Sequence, residues 1–408
     1  MFDLKEYATR RAQALKSLKG AIGLIFAGED TAGLEEKWRA HPHFFYLTGI
    51  VDEPGAILLL DPNHPVEDRR AILFLRPLNP ELEKWDGFRA EISSALKEKY
   101  GFKVISRTNY LPRFLSEAAR RAKRFACLHP LAAHTAPVSP DLELFRKLTE
   151  RIPGSSIEDR SELMAQMRAG KSASEVDLIQ RAIDITAQGY DAVLKILRPG
   201  LTEFDVQTLL EHSYKQGGAR GTLYGTIVGG GFNATVLHYR ANDQPLNDGD
   251  LVCIDSAASF GEYSADITRT FPVNGKFTKR QREIYDVVLK AEEAAIAAVK
   301  PGVAILEIDK VARDIIEKAG FGDWFIHGIG HHLGIEVHDI TPIENDGRLK
   351  PGAVITIEPG IYVPQEKIGI RIEDDVLVTK SGAKNLSAKI PKMAAEIEKI
   401  MAARERRV

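Results

Sequence analysis

The feature that most constrains this chain is a unit that occurs twice. A helical pattern over residues 174–197 ends in Arg198-Pro199-Gly200, and another over 278–299 ends in Lys300-Pro301-Gly302, an offset of 102 residues from Pro199 to Pro301. Each Pro-Gly leads into a second amphipathic stretch, which closes at Gly217-Gly218 in one copy and at Gly320 in the other. Next, a glycine turn and an apolar run end in an acid six residues after the glycine: Gly249 to Asp255 in one copy, Gly352 to Glu358 in the other. A second strand carrying another acid follows in both, with Asp266 in Ala265-Asp266-Ile267-Thr268 and Glu373 in Arg371-Ile372-Glu373-Asp374. Self-similarity over so long a period predicts a duplicated helix, helix, strand, strand unit. Two copies facing one another would bring four carboxylates together.

An acid near a strand is ordinarily solvated or paired with a base. Asp255 and Glu358 differ, because Leu251-Val252-Cys253-Ile254 and Val354-Ile355-Thr356-Ile357 place them where a strand enters or leaves a core. Four buried carboxylates side by side lose hydration and repel one another, and divalent cations offset that cost. Histidines are concentrated too: His327, His331, His332 and His338 fall within twelve residues. The interleaved glycines argue against a helix there and for a close-packed strand or loop, while His332 taken alone reads equally well as a core or surface side chain. An oxygen-rich donor set to which one imidazole is added suits Mn²⁺ best, with Co²⁺, Fe²⁺ or Zn²⁺ less selectively favoured. Two such ions about 3.5–4 Å apart can make hydroxide from a bridging water near neutral pH and polarise a carbonyl, so amide hydrolysis is the natural use.

The first part of the chain has a different texture. After a helical stretch at 5–16, short apolar runs at 21–27, 44–50, 56–60, 71–75, 103–105 and 124–128 alternate with helices expected over 80–100, 111–122 and 140–152. The class is α/β (α+β): a smaller N-terminal α/β domain over residues 1–155, a break at Ile152-Pro153-Gly154-Ser155-Ser156, and a duplicated catalytic domain over 156–408. A net charge of −2 gives no reason for a polyanion partner. The basic runs at 120–124 and 404–407 lack interleaved aromatics and read as solvated helix ends, so no nucleic acid is expected. Only Cys127 and Cys253 are present, Asp3 and Glu6 stand where a signal peptide needs a basic start, and no apolar run nears the ~18 residues of a spanning helix. A cytoplasmic protein with no membrane partner is therefore expected. Gly170-Lys171-Ser172 looks like the end of a phosphate-binding loop, but Ala165 stands where that loop needs glycine.

Several segments, in order, carry a family resemblance: Thr226-Ile227-Val228-Gly229, Leu237-His238-Tyr239, residues 249–255, 265–278 and 327–339, Ile357-Glu358-Pro359-Gly360-Ile361-Tyr362, and Gly369-Ile370-Arg371-Ile372-Glu373-Asp374-Asp375. Over about residues 174–387 the chain resembles the pita-bread (creatinase/aminopeptidase-like) metallopeptidases, within them the Xaa-Pro aminopeptidase and prolidase group. The resemblance implies that Asp255 and Asp266 bind a first metal, that His331 and Glu358 bind a second, and that Asp266 and Glu373 bridge the two. It also implies Glu358 as proton acceptor, His238 and His338 near the scissile carbonyl, His327 beside the proline pocket, and Arg371 orienting carboxylates.

The implied substrates are small peptides with proline second, cut between the N-terminal residue and that proline. Xaa-Pro dipeptidase is the near alternative, and a non-catalytic binding module or a hydrolase or lyase of non-peptide substrates are more distant ones. Residues 38–39, 44–49 and 83–87 resemble the family's smaller domain more loosely, with His41-Pro42-His43 where aminopeptidase relatives usually carry an Asn-Ser-Asp type sequence. In this family the small domain helps close a neighbouring subunit's site, which implies a homodimer or higher homo-oligomer.

Overall fold

The computed structural model describes residues 3–29, 38–343 and 347–404, so residues 405–407 of the second basic run lie outside it. The chain divides into two compact units, residues 1–168 and 169–408.

The first unit is built on a mixed six-stranded sheet in the order Ile105–Arg107, Ala71–Leu75, Ile57–Leu60, Ile22–Phe26, Arg124–Cys127, Ser156–Asp159. The last strand lies beyond the expected boundary at residue 155, yet it runs parallel to Arg124–Cys127 with Ile157 opposite Phe125. Helices Leu111–Ala122 and Pro140–Thr149 bury Leu115, Ala118, Ala119 and Phe145 against Leu24, Phe74 and Phe125 of the sheet.

Two expectations are corrected here. The apolar run at 44–50 is not a strand but the end of a helix, Pro42–Thr48. The His41 side chain accepts from the His43 N–H, Pro42 sits in the first turn, and Gly49, at φ +71°, closes the helix in the left-handed region. The guanidinium groups of Arg10 and Arg11, both buried, donate to the carbonyls of Tyr46 at 3.1 Å and Leu47 at 2.9 Å, satisfying acceptors at the helix C-terminus. Because every residue from His43 to Thr48 is buried, the segment has no polar face to reveal a helical period. The single helix expected over 80–100 is two, Pro80–Asp86 and Ser94–Tyr100, since Gly87 leaves the helix at φ +94° and the Ser93 hydroxyl caps the second by accepting from the Leu96 N–H.

In the second unit the duplication is present in detail. Helices Ala173–Ile196 and Glu203–Gln216 belong to one copy, Lys279–Ala298 and Ile305–Lys318 to the other. Capping boxes start three of them: Ser172 with Glu175, Thr202 with Asp205, and Thr278 with Gln281. The Pro-Gly turns match: Gly200 at φ +89° donates to the Leu246 carbonyl at 3.0 Å, and Gly302 at φ +84° to that of Leu349 at 2.8 Å.

Strand Leu251–Asp255 pairs antiparallel with Thr268–Pro272, and Val354–Ile357 with Asp374–Val378. Asp266 and Glu373 stand just before the second strand of each pair rather than inside it. That puts each near the acid closing the first strand, since Thr268 lies opposite Asp255 and Asp374 opposite Ile357, the neighbour of Glu358. The histidine-rich run is irregular backbone laid along Val354–Ile357: Leu333 donates to Val354, Thr356 to His331 and Glu358 to Ile329, at 2.8–2.9 Å. Only glycine fits at 330, where a Cβ would lie 2.1 Å from the Thr356 carbonyl oxygen.

Candidate metal centre

The strand ends of both copies and the histidine run open on one cavity of about 500 Å³, lined by all nine side chains singled out in the sequence: His238, Asp255, Asp266, His327, His331, His338, Glu358, Arg371 and Glu373. Ligand atoms of Asp266, His331 and Glu373 lie within 4.8 Å of one another. His331 Nε2 is 3.5 Å from Asp266 Oδ2 and 3.6 Å from Glu358 Oε1. Its Nδ1 lies 3.0 Å from the His332 carbonyl oxygen, which accepts the Nδ1–H and leaves Nε2 to face the carboxylates.

Asp255 stands slightly apart from this cluster. Its Oδ1 accepts from the Tyr224 hydroxyl and its Oδ2 from Arg371 Nη2, each at 2.8 Å. Glu373 accepts from the Thr268 hydroxyl at 2.6 Å, and that hydroxyl in turn accepts from Arg371 Nε at 3.1 Å. Arg371 Nη1 donates to Tyr362, whose hydroxyl meets His327 Nε2 at 2.8 Å, and His327 Nδ1 meets the Gly328 carbonyl at 2.8 Å. Each proton in that chain has an acceptor: Arg371 gives to Tyr362, Tyr362 to His327, His327 to the backbone.

The electrostatics follow from four clustered acids, Asp266 and Glu373 buried and Asp255 and Glu358 partly so, against one guanidinium. Burial pushes up the carboxyls of Asp255, Glu358 (to about 7) and Glu373, with neighbouring carboxylates raising each further and Arg371 opposing. Burial lowers His331, but Asp266 and Glu358 outweigh it and hold the imidazole up at about 9. Burial and then Arg371 bring His327 down to about 4, so it is neutral. Cations compete with protons for carboxylate and imidazole donors crowded together in this way. An oxygen-rich set with one imidazole Nε2, assembled where carboxylates crowd, fits divalent metal ions.

Tyr224, Thr268 and Tyr362 were not assigned roles from the sequence. Tyr362 and Thr268 lie inside the segments that carry the family resemblance and, unlike the candidate ligands, are uncharged. Tyr224 carries no local pattern at all, and only the fold sets it beside Asp255.

The model of metallopeptidase family M24 matches residues 177–380, and that of the aminopeptidase P N-terminal domain matches residues 7–127. The chain belongs to metallopeptidase family M24. It is 38% identical to a Xaa-Pro aminopeptidase of Haemophilus influenzae, over 97% of each chain. A Xaa-Pro dipeptidase of Pyrococcus furiosus is 40% identical, but over 55% of this chain and 65% of its own length. The solved structure of aminopeptidase P from E. coli with the inhibitor Pro-Leu superposes with a TM-score of 0.87, at 33% identity and 99% coverage of each chain. Both domains of an M24 aminopeptidase are therefore present, with the smaller α/β domain first.

Proposed function

We propose that this chain is a Xaa-Pro aminopeptidase, which hydrolyses the peptide bond between an N-terminal residue and a following proline with the help of divalent cations. The observation that carries the reading is the convergence of Asp266, His331 and Glu373 in the cavity that Asp255 and Glu358 also line, in a chain matched end to end by relatives of that name. The dipeptidase alternative shares these side chains, but its relative matches little more than half of the chain.

In this reading Asp255, Asp266, His331, Glu358 and Glu373 would hold the cations, with Asp255 and Asp266 serving one, His331 and Glu358 the other, and Asp266 and Glu373 contributing to both. Mn²⁺ suits the donors best, with Co²⁺, Fe²⁺ and Zn²⁺ as rivals. When bound, such ions supply Lewis acidity and acidify a water. The protein's own groups do the rest. Glu358 would accept the proton that the attacking water gives up. His238 and His338 donate to the carbonyl oxygen as it gains charge. His327, kept uncharged, offers an apolar ring face to the proline. Arg371 fixes the carboxylate of Asp255 and the hydroxyl of Tyr362.

A homodimer or larger assembly goes with this reading, the N-terminal domain serving substrate access and association. Trp85 and Phe88, 86% and 94% exposed, are large apolar surfaces for a second copy to cover. A reducing cytoplasm suits the two buried free thiols, Cys127 and Cys253.

A panel of Xaa-Pro, Xaa-Pro-Yaa and Xaa-Ala peptides with added Mn²⁺ tests the activity. Cleavage of Xaa-Pro-Yaa is expected. Cleavage of Xaa-Pro dipeptides alone would reassign the chain as a dipeptidase, and no cleavage of any proline peptide would end the reading.

A further inference from the structure

Lys171, from the stretch that only superficially matched a phosphate-binding loop, lies deep in the second unit. Its side chain is 1% exposed, that of Asp339 is 2% exposed, and Nζ donates to Asp339 Oδ2 at 3.0 Å. An ammonium so deep is costly unless paired, so its placement calls for a role.

Asp339 closes a turn. Its N–H donates to the His332 carbonyl at 2.8 Å, its Oδ1 accepts from the Ile340 N–H at 3.0 Å, and inside the turn Gly334 donates to Glu336 at 3.0 Å. The ion pair fills the inner side of this turn: a Cβ at Gly334 would lie 2.2 Å from Asp339 Oδ2 and 3.0 Å from Lys171 Cε. Val337 and His338, on the same turn, line the metal cavity. The His338 ring centroid is 4.0 Å from that of His331, yet no hydrogen bond to the His338 ring is made among the described residues. Apart from that ring contact, the position of its backbone is what aims it.

The other end of Lys171 is tied to the strand that leads to Glu358. Its N–H donates to the Gly352 carbonyl at 2.8 Å, and a Cβ on Gly352, at φ +89°, would lie 2.9 Å from the Lys171 carbonyl oxygen. One residue thus spans from the base of the Glu358 strand to the turn that carries His338.

We propose that Lys171 is a positioning residue for His338, holding it at a fixed place over the metal cavity through the buried pair with Asp339. The proposal rests on the reading of His338 as a donor to the reacting carbonyl.

The test is Lys171→Met, with Lys171→Gln as a milder variant should the first fail to fold, each made in the parent enzyme and in His338→Ala. Displacing a catalytic group by about 1 Å can cost about 10²-fold. In the parent, kcat should therefore fall strongly while KM and metal stoichiometry hold. In His338→Ala the same substitution should change kcat less than about twofold, because residues acting as one unit are not additive. Hydrogen exchange of the Mn²⁺-loaded enzyme should quicken at residues 334–340. Equal losses in both backgrounds, loss of metal, or an unchanged kcat in the parent would overturn the proposal. If the unmodified enzyme cleaves no proline peptide, the functional reading fails by itself, and exchange at 334–340 alone decides whether Lys171 holds the turn, an unchanged rate there counting against it.

Discussion

The hydroxyl of Thr268 donates to Glu373 Oε2 at 2.6 Å, joining a strand of the first copy to the acid that precedes a strand of the second. The Thr268 hydroxyl oxygen also accepts from Arg371 Nε, so both of its hydrogen-bonding roles are used on the candidate metal centre. Thr268→Val keeps the shape and removes the bond. Loss of such a partner typically lowers metal affinity about 10- to 100-fold. Titration of the apo-protein with Mn²⁺ by calorimetry should show that weakening, with a melting temperature of the metal-free protein close to the parent's. Unchanged affinity would remove Thr268 from the centre.

The His331 and His338 ring centroids lie 4.0 Å apart with the planes tilted by 37°, but the two side chains are expected to fail differently. His338→Ala should keep its metal and lose about 10²- to 10³-fold in turnover, the usual cost of one preorganised oxyanion donor. His331→Ala should lose both. Elemental analysis alongside turnover separates the two, and equal metal loss in both variants would falsify the assignment.

Saturation with Mn²⁺ should bring about two ions per chain, because the charge on four carboxylates is that of two divalent cations. Chelation should abolish turnover and lower the melting temperature, since ions that bind only the folded chain stabilise it. A plateau at one ion would rule out the two-metal arrangement.

Acid should weaken the first unit for a reason unrelated to metal. His41, His43 and His129 form a cluster with ring centroids 4.4–6.1 Å apart, and His43 and His129 are buried. Burial lowers all three, His41 to about 3, with nearby Arg168 adding to the effect at His41 and His43. Unfolded histidines take up protons below about pH 6.5. Between there and the folded pKa values the unfolded state therefore binds more protons, so stability is complete above that range and is lost as pH falls through it. Each histidine can contribute up to about 1.4 kcal/mol per pH unit. Urea melts from pH 7.5 to 5 should show this decline, and His43→Asn should flatten it while offering Arg168 another acceptor. A parent profile that is flat over this range would contradict the idea.

Light scattering at micromolar concentration should find at least a dimer, and a double Trp85→Ser, Phe88→Ser variant should shift it toward monomer. A fully active monomer would separate activity from assembly.

Much of the centre was legible because charge is conspicuous where the chain is otherwise apolar. Asp255 after Leu-Val-Cys-Ile and Glu358 after Val-Ile-Thr-Ile announce themselves, and the 102-residue offset pairs them. The partners that orient them were not legible. Tyr224 and Thr268 look like ordinary residues of a loop and a strand, and their use depends on a register that no local pattern encodes. The helix Pro42–Thr48 was hidden for the opposite reason: buried on every side, it offers no periodicity, and the arginines that complete it lie over thirty residues earlier in the chain. Lys171 had a motif-like context that pointed elsewhere, and only the approach of Gly334 and Asp339 shows what surrounds it.

A peptidase is a hazard while it is half made, and the duplicated architecture bears on that hazard. The first copy carries Asp255 and Asp266, while His331, Glu358 and Glu373 arrive only with the second. A nascent or partly unfolded chain has some of these donors but no complete set, and so no site at which to hydrolyse a peptide. In the proposed reading, splitting the ligands between two copies thus ties the onset of hydrolysis to the closing of the whole domain.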